Sequence, residues 1–216
     1  VRVPRLLFVE GEPPVLGMEW IGPPAANWKQ QLLAGTVDPG VAAALGRAMA
    51  VLHRTPATPG LTGPAAMEGF EVLRTTPYYR TVAARRPEYA ERMAALIADL
   101  EAAAGQGVVH GDFSPKNILV REGKLVLLDH EVIHFGDPAF DIGFALTHLL
   151  SKAHHLRDAR FVGAGRKFCE VYAASIGRVF CDADMQTMSA RHTLGCMLAR
   201  VAGRSPLEYL DEPTRA

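Results

Sequence analysis

Cysteine is scarce in this chain. Its 216 residues hold three, Cys169, Cys181 and Cys196, widely spaced and without a Cys-x-x-Cys pair. That pattern excludes a disulfide framework, argues against zinc and leaves the thiols as reduced core residues. Neither sign of charge is in excess: 23 Lys and Arg balance 23 Asp and Glu. No global field therefore recruits nucleic acid or an anionic membrane. No apolar run approaches the ~20 residues of a membrane span, and no signal peptide opens the chain. Repeats and low-complexity tracts are also missing. The expectation is a soluble, cytoplasmic protein, with 49% hydrophobic residues to build a core and enough length for one domain, or one lobe plus a fragment.

What is there concentrates in residues 108–131. His110-Gly111-Asp112 and Phe113-Ser114-Pro115-Lys116-Asn117 are followed by an apolar run and then by Leu128-Asp129-His130-Glu131. An Asp and an Asn five residues apart, with a second Asp twelve residues on, suit phosphoryl transfer. One acid accepts a hydroxyl proton while the Asn and the other acid hold Mg²⁺ against ATP phosphates. Ile118-Leu119-Val120 and Leu125-Val126-Leu127-Leu128, separated by a polar Gly-containing turn, predict a β-hairpin. Such a hairpin sets Asn117 beside Asp129, two hard oxygen ligands of the kind Mg²⁺ takes along with phosphate oxygens. The plain alternative is an ordinary hairpin with polar ends.

These motifs, with Gly136-Asp137-Pro138-Ala139-Phe140-Asp141 after them, resemble the aminoglycoside phosphotransferase/choline kinase-like family of small-molecule kinases. The likeness runs from about Pro4 to Leu210. It implies an α+β, mostly helical, protein-kinase-like fold: a C-terminal lobe with a hinge and a small catalytic β-hairpin. Asp112 becomes the catalytic base, with Ser114 and Lys116 beside it, and Asn117 and Asp129 become the metal and nucleotide ligands. His110 and Asp141 become structural supports of the catalytic loop. Lys116 reaches a phosphate or is a solvated lysine; both readings stay open. Ser114 stands where protein serine kinases carry Lys. The metal motif reads Asp-His-Glu rather than Asp-Phe-Gly, and no Ala-Pro-Glu follows. Both departures favour a small-molecule kinase. Glu131 is a weak candidate for water-mediated metal support.

Arg5–Val9 and Val15–Trp20 predict a strand pair. By the resemblance, Glu19, Trp20 and Ile21 form the hinge that meets the adenine edge; the alternative is an amphipathic edge strand. All five lysines, Lys29, Lys116, Lys124, Lys152 and Lys167, follow that hinge. The phosphate-binding Lys of the family thus has no counterpart, and the N-terminal lobe is expected to be largely missing. Residues 1–22 would be its remnant and 23–216 the helical lobe, a fragment cut at both ends and weakly active alone.

Helices are expected from Asn27, from Asp38-Pro39 to His53, from Pro87 to Leu100 with Met93, Leu96, Ile97 and Leu100 as its buried stripe, from Asp137-Pro138 to Leu150, and over 158–176 and 184–200, the last with Met188, Leu194, Met197 and Leu198 as its core stripe. Trp28 and His53 read as structural. Residues 55–80, rich in Pro, Gly and Thr, read as a long loop. Glu68 and Glu71 there either meet a polar substrate or, more simply, are solvated. Gly163-Ala164-Gly165 lies inside a helical stretch and does not read as a phosphate loop. Adjacent His154 and His155 share no helix face. A polycationic aminoglycoside would favour an acidic cleft, which the charge balance does not advertise. The expected activity is ATP- and Mg²⁺-dependent transfer to a small-molecule hydroxyl, without nucleic acid or membrane partners. A catalytically inactive kinase-like binding protein is the alternative.

Overall fold

The computed structural model describes residues 2–177 and 183–210. Cys181 and the chain end at Arg215 and Ala216 lie outside them. Local chemistry starts the helices where expected. Asn27 Oδ1 accepts the amide of Lys29 at 3.1 Å and opens α1 (Trp28–Leu33). Asp38 Oδ1 accepts that of Gly40 at 2.7 Å ahead of α2 (Pro39–His53). Asp137 Oδ1 accepts that of Ala139 at 2.8 Å ahead of α6 (Pro138–Leu156). In the last two cases a proline occupies the first turn, where its missing N–H costs nothing.

Residues 55–80 are not one long loop. Helix α3 (Pro64–Phe70) runs into a π-helical segment, Glu71–Arg80, and on into α4 (Thr81–Arg85). The wide turns accommodate Pro77 inside the helix. Phe70, Arg74, Tyr78, Tyr79 and Val82 form its buried face. A buried arginine in that series breaks the apolar periodicity a sequence reading depends on. After a single tight turn comes α5 (Ala90–Ala102), which buries Met93, Leu96 and Leu100 as expected.

Helices α6, α7 (Arg160–Ile176) and α8 (Ala183–Ala202) complete the body. The α7 face of Phe161, Phe168 and Tyr172 is buried against Leu45 and Met49 of α2. Helix α8 corrects the expected stripe: Leu194 is 68% exposed, while Ser189, His192, Thr193, Cys196 and Ala199 face inward. Close packing explains this. A Cβ on Gly143 of α6 would sit 2.7 Å from His192 Cβ and 2.8 Å from the Thr193 nitrogen. Thr147 Oγ1 then donates across the seam to the Thr193 carbonyl at 3.0 Å.

Among the described residues, three small antiparallel sheets complete the fold. Strands β1 (Leu6–Glu10) and β2 (Val15–Met18) pair with each other, largely exposed. β3 (Ala26–Asn27), β5 (Ile118–Arg121) and β6 (Lys124–Leu127) form the second, in the order β3-β5-β6. β4 (Gly107–Val109) and β7 (His134–Gly136) form the third. The β5–β6 turn places Glu122 and Gly123 at positive φ, as a two-residue hairpin turn requires. Arg2 fastens the first hairpin to the second: its carbonyl accepts the Leu127 amide at 2.9 Å and its guanidinium pairs with Glu19 at 2.6 Å. No helix among the described residues is long and apolar enough to cross a membrane.

Candidate active site

Strand β4 delivers the chain to a turn that only a small residue fits. Gly111 sits at φ 74°, and a Cβ there would lie 2.8 Å from Val132 Cγ2. The turn is braced from below by Asp141 on the first turn of α6. Its Oδ2 accepts the His110 amide at 2.7 Å and its Oδ1 accepts the Gly111 amide at 2.9 Å. His53, at the end of α2, lies 3.3 Å from Asp141 Oδ2 and 2.9 Å from the Tyr172 hydroxyl. Burial would raise the Asp141 pKa, but the His53 hydrogen bond and charge, with His110, outweigh it and hold it below its ordinary value. His110 joins the two halves of the motif. Its Nδ1 accepts the Asp112 amide at 3.2 Å, which leaves Nε2–H to donate to the Leu128 carbonyl at 3.1 Å.

Hairpin geometry brings Asn117 to Asp129 as the spacing implied. The Leu128 amide donates to the Asn117 carbonyl at 2.9 Å, one step beyond the Ile118–Leu127 register pair. Asp129 follows at φ 63° with a partly exposed carboxylate. Asn117 Nδ2 donates to the Asp112 carbonyl at 3.1 Å, so its amide oxygen is the group left for a cation. One carboxylate and one amide oxygen are a donor set that fits Mg²⁺.

Asp112 itself is buried and doubly countered. Arg74 Nη2 and Lys116 Nζ each lie 2.9 Å from its Oδ2. Burial raises its pKa; the Arg74 charge and the Lys116 ammonium overcome that and hold the carboxyl ionised well below neutrality. Lys116 also stands 3.9 Å from Asp129 Oδ2, between the two acids. Its backbone carbonyl accepts from Asn27 Nδ2 at 2.8 Å, tying α1 to the loop. Arg74 is the site residue that sequence reading missed. Its Nε donates to the Gly111 carbonyl at 2.6 Å and Nη1 to the Leu73 carbonyl at 2.7 Å, so one guanidinium clamps loop and acid together. A charged residue at a core position of a helical series was the available signal.

Ser114 holds the turn through its backbone: its amide donates to the Asp112 carbonyl at 2.7 Å. Its hydroxyl is buried without a hydrogen-bond partner among the described residues, beside a cavity of about 220 Å³. Other acidic candidates are engaged or remote. Glu71 pairs with Arg80 at 2.6 Å, and Glu68 and Glu131 are exposed. Glu19 is held by Arg2, its amide donates to the Arg5 carbonyl at 2.8 Å, and Trp20 is 85% exposed. Among the described residues, no hydrogen bond or ion pair joins Glu19, Trp20 or Ile21 to the 110–117 loop. A cavity of about 750 Å³ lies between α5 and α8 among Tyr89, Leu96 and Leu194, away from these acids.

The model of the Phosphotransferase enzyme family matches residues 1–174. The chain belongs to that family. No curated protein matches it. Among solved structures, a choline/ethanolamine kinase family protein from Mesorhizobium loti superposes with a TM-score of 0.62 at 17% identity, over 93% of this chain and 64% of that one. A glucosamine kinase superposes at 0.56 and 21% identity, over 94% and 61%. An amicoumacin kinase in complex with AMP-PNP, Ca²⁺ and Ami superposes at 0.53 and 14% identity, over 97% and 75%. At these identities the likeness establishes the shared kinase-like fold. The chain spans under two thirds of the length of the first two phosphotransferase relatives.

Proposed function

We propose that the protein transfers the γ-phosphoryl group of ATP to a hydroxyl of a small molecule, with Mg²⁺ held by Asn117 and Asp129. The observation that carries this is the meeting of Asp112, Asn117 and Asp129 at one end of the β5–β6 hairpin, with Asp112 kept ionised. Family membership supports the reaction class, and the nucleotide analogue and Ca²⁺ named with the amicoumacin kinase support the choice of ligands. Bound Mg²⁺ would neutralise charge on the phosphate oxygens.

The chain's own residues do the rest. Asp112 orients the acceptor hydroxyl and takes its proton as the acceptor oxygen bonds to the γ-phosphorus. The bond from that phosphorus to the β–γ bridging oxygen breaks, and ADP leaves with the electron pair. A carboxylate of low pKa is a weak base, which suits a loose transition state in which the proton moves late. Lys116, between Asp112 and Asp129, is positioned to meet the transferring group as a point charge. Asp141 and His110 position the loop. Glu19, Trp20 and Ile21 are assigned the adenine edge; the Glu19 amide is already used, so its carbonyl and the Ile21 backbone carry that contact.

The test is Mg²⁺-dependent ADP release by the full-length protein across hydroxylated metabolites and aminoglycosides, with Asp112→Asn as control. Release with one acceptor group, reduced about 10²–10⁴-fold in the variant, is the expected result. Release that persists undiminished in Asp112→Asn would sink the assignment of the base. No release with any acceptor would favour a kinase-like binding protein.

A further inference from the structure

A second set of charged groups lies directly behind the catalytic loop. The cavity of about 220 Å³ is bounded by Ser114 and Lys116 on one side and by Lys29, His148, Lys152 and Arg200 on the other, with Glu208 at its rim. Its charges are unbalanced. Lys29 is paired with Glu208, and Lys116 with Asp112. Lys152 and Arg200 have no carboxylate within 4.0 Å among the described residues. Lys152 is 1% exposed; its Nζ lies 4.9 Å from the Tyr209 ring centroid and otherwise makes long contacts, 3.4 Å to the His148 carbonyl and 3.4 Å to the Tyr209 hydroxyl. An uncompensated buried ammonium is costly unless something neutralises it.

Three further details point to what that is. Among the described residues, the Ser114 hydroxyl and Arg200 Nε are buried donors without hydrogen-bond partners. Arg200 Nη2 sits 3.3 Å from His148 Nε2, which must therefore accept, so His148 is neutral. Burial, then Arg200 and Lys152, hold its pKa well below the ordinary value, so it adds no compensating negative charge. Ser114, Lys152 and Arg200 all line this one cavity, and Arg200 is held there by the Ser205 carbonyl at 2.9 Å and by the Tyr78 and Phe144 rings.

We propose that this cavity is the acceptor pocket and that it selects a small hydroxylated anion, an alcohol bearing a carboxylate or a phosphate monoester, over amino alcohols and aminoglycosides. This rests on the phosphotransferase reading for the role of the bound alcohol, though not for the binding itself. The anionic group accepts from Lys152, Arg200 and Ser114. Because Lys116, which lines the cavity, lies 2.9 Å from Asp112 Oδ2, an alcohol carried on the same small molecule can reach the base. The volume is below the ~300–1,000 Å³ of pockets that enclose drug-sized ligands, which suits a compact metabolite rather than a polycyclic antibiotic. A cationic acceptor would meet like charge from Lys152 and Arg200. Burial, with Lys29 next, pushes the Lys152 pKa down to about 7, so an anion that keeps it protonated draws a proton from buffer when it binds above that pH.

The test is calorimetric titration of the full-length protein at pH 8, free of nucleotide and Mg²⁺, with four probes. Glycerate and glycerol 3-phosphate carry the anion; glycerol is the neutral counterpart and choline the cationic one. At least one anion should bind with proton uptake, at least about tenfold tighter than glycerol or choline. Lys152→Met should weaken it by about tenfold or more, and Ser114→Ala less. Glycerate alone binding identifies a hydroxy acid site, and glycerol 3-phosphate alone a phosphomonoester site. Binding of glycerol or choline as tight as either anion, binding of none of the four, or anion affinity unchanged in both Lys152→Met and Ser114→Ala overturns the proposal. Since no ATP is present, a failure of phosphotransfer leaves this outcome intact, and the reverse also holds.

Discussion

At the scale of single residues, Arg74 decides more about this site than its place in the sequence suggests. Its guanidinium both lowers the Asp112 pKa and fixes the Gly111 carbonyl. Arg74→Met should therefore raise the Asp112 pKa. If Asp112 is the base proposed above, the acid limb of the kcat/KM profile should move to higher pH; a limb that stays in place would show that Lys116 alone sets the charge. Arg74→Lys should restore the limb while leaving the rate low, since Lys lacks the planar fork that reaches both groups. Asp141 behaves differently because it touches only the protein. Its folded pKa is depressed, so its contribution is full above its ordinary value near 3.8 and is lost as pH falls through the lowered native value. Asp141→Asn should cost about 3 kcal/mol or more in urea unfolding at pH 7 and flatten the acid limb of stability. Asp112, Asn117, Asp129 and Asp141 were legible from spacing and resemblance. Arg74 was not, because its partners lie 37 and 38 positions along the chain, in an element read as loop.

Among the elements, close approach rather than hydrophobicity governs the α6–α8 seam. Apolar periodicity put Leu194 in the core, yet the seam selects small and polar residues that let the backbones meet. Gly143→Ala should destabilise the protein by about 1–3 kcal/mol, because the new methyl meets α8 backbone atoms that cannot rotate away. A thermal melt of this variant matching the parent would show that the two helices separate freely. The 64–85 segment teaches a related point. Its Pro77 and its buried Arg74 both argue locally against a helix, and tertiary packing overrides them with wider turns.

Across the whole molecule, order should follow burial. Strands β5 and β6 have their inward side chains in the core, whereas all five residues of β1 are exposed and the first hairpin is tied down mainly through Arg2. A lone two-stranded hairpin is marginal in water. Amide exchange in Leu6–Met18 should thus be at least about tenfold faster than in Ile118–Leu127, reflecting local opening rather than global unfolding. Equal protection in the two hairpins, read by hydrogen-exchange mass spectrometry, would contradict this. Charge is distributed on the same scale: the chain as a whole is neutral, yet lysines spaced far apart in sequence gather behind the catalytic loop.

Local chemistry, read from the chain alone, determined where most helices begin, that residues 118–127 form a hairpin, and that two acids and an amide stand at its open end. Those features depend on neighbours within a dozen residues and on side chains whose caps and turns are short-range. Packing decided the rest: which face of α8 turns inward, that Arg74 reaches Asp112, and that Lys29, Lys116, Lys152 and Arg200 line one cavity. Contacts between distant segments depend on how helices cross, and a periodic pattern carries no record of the crossing.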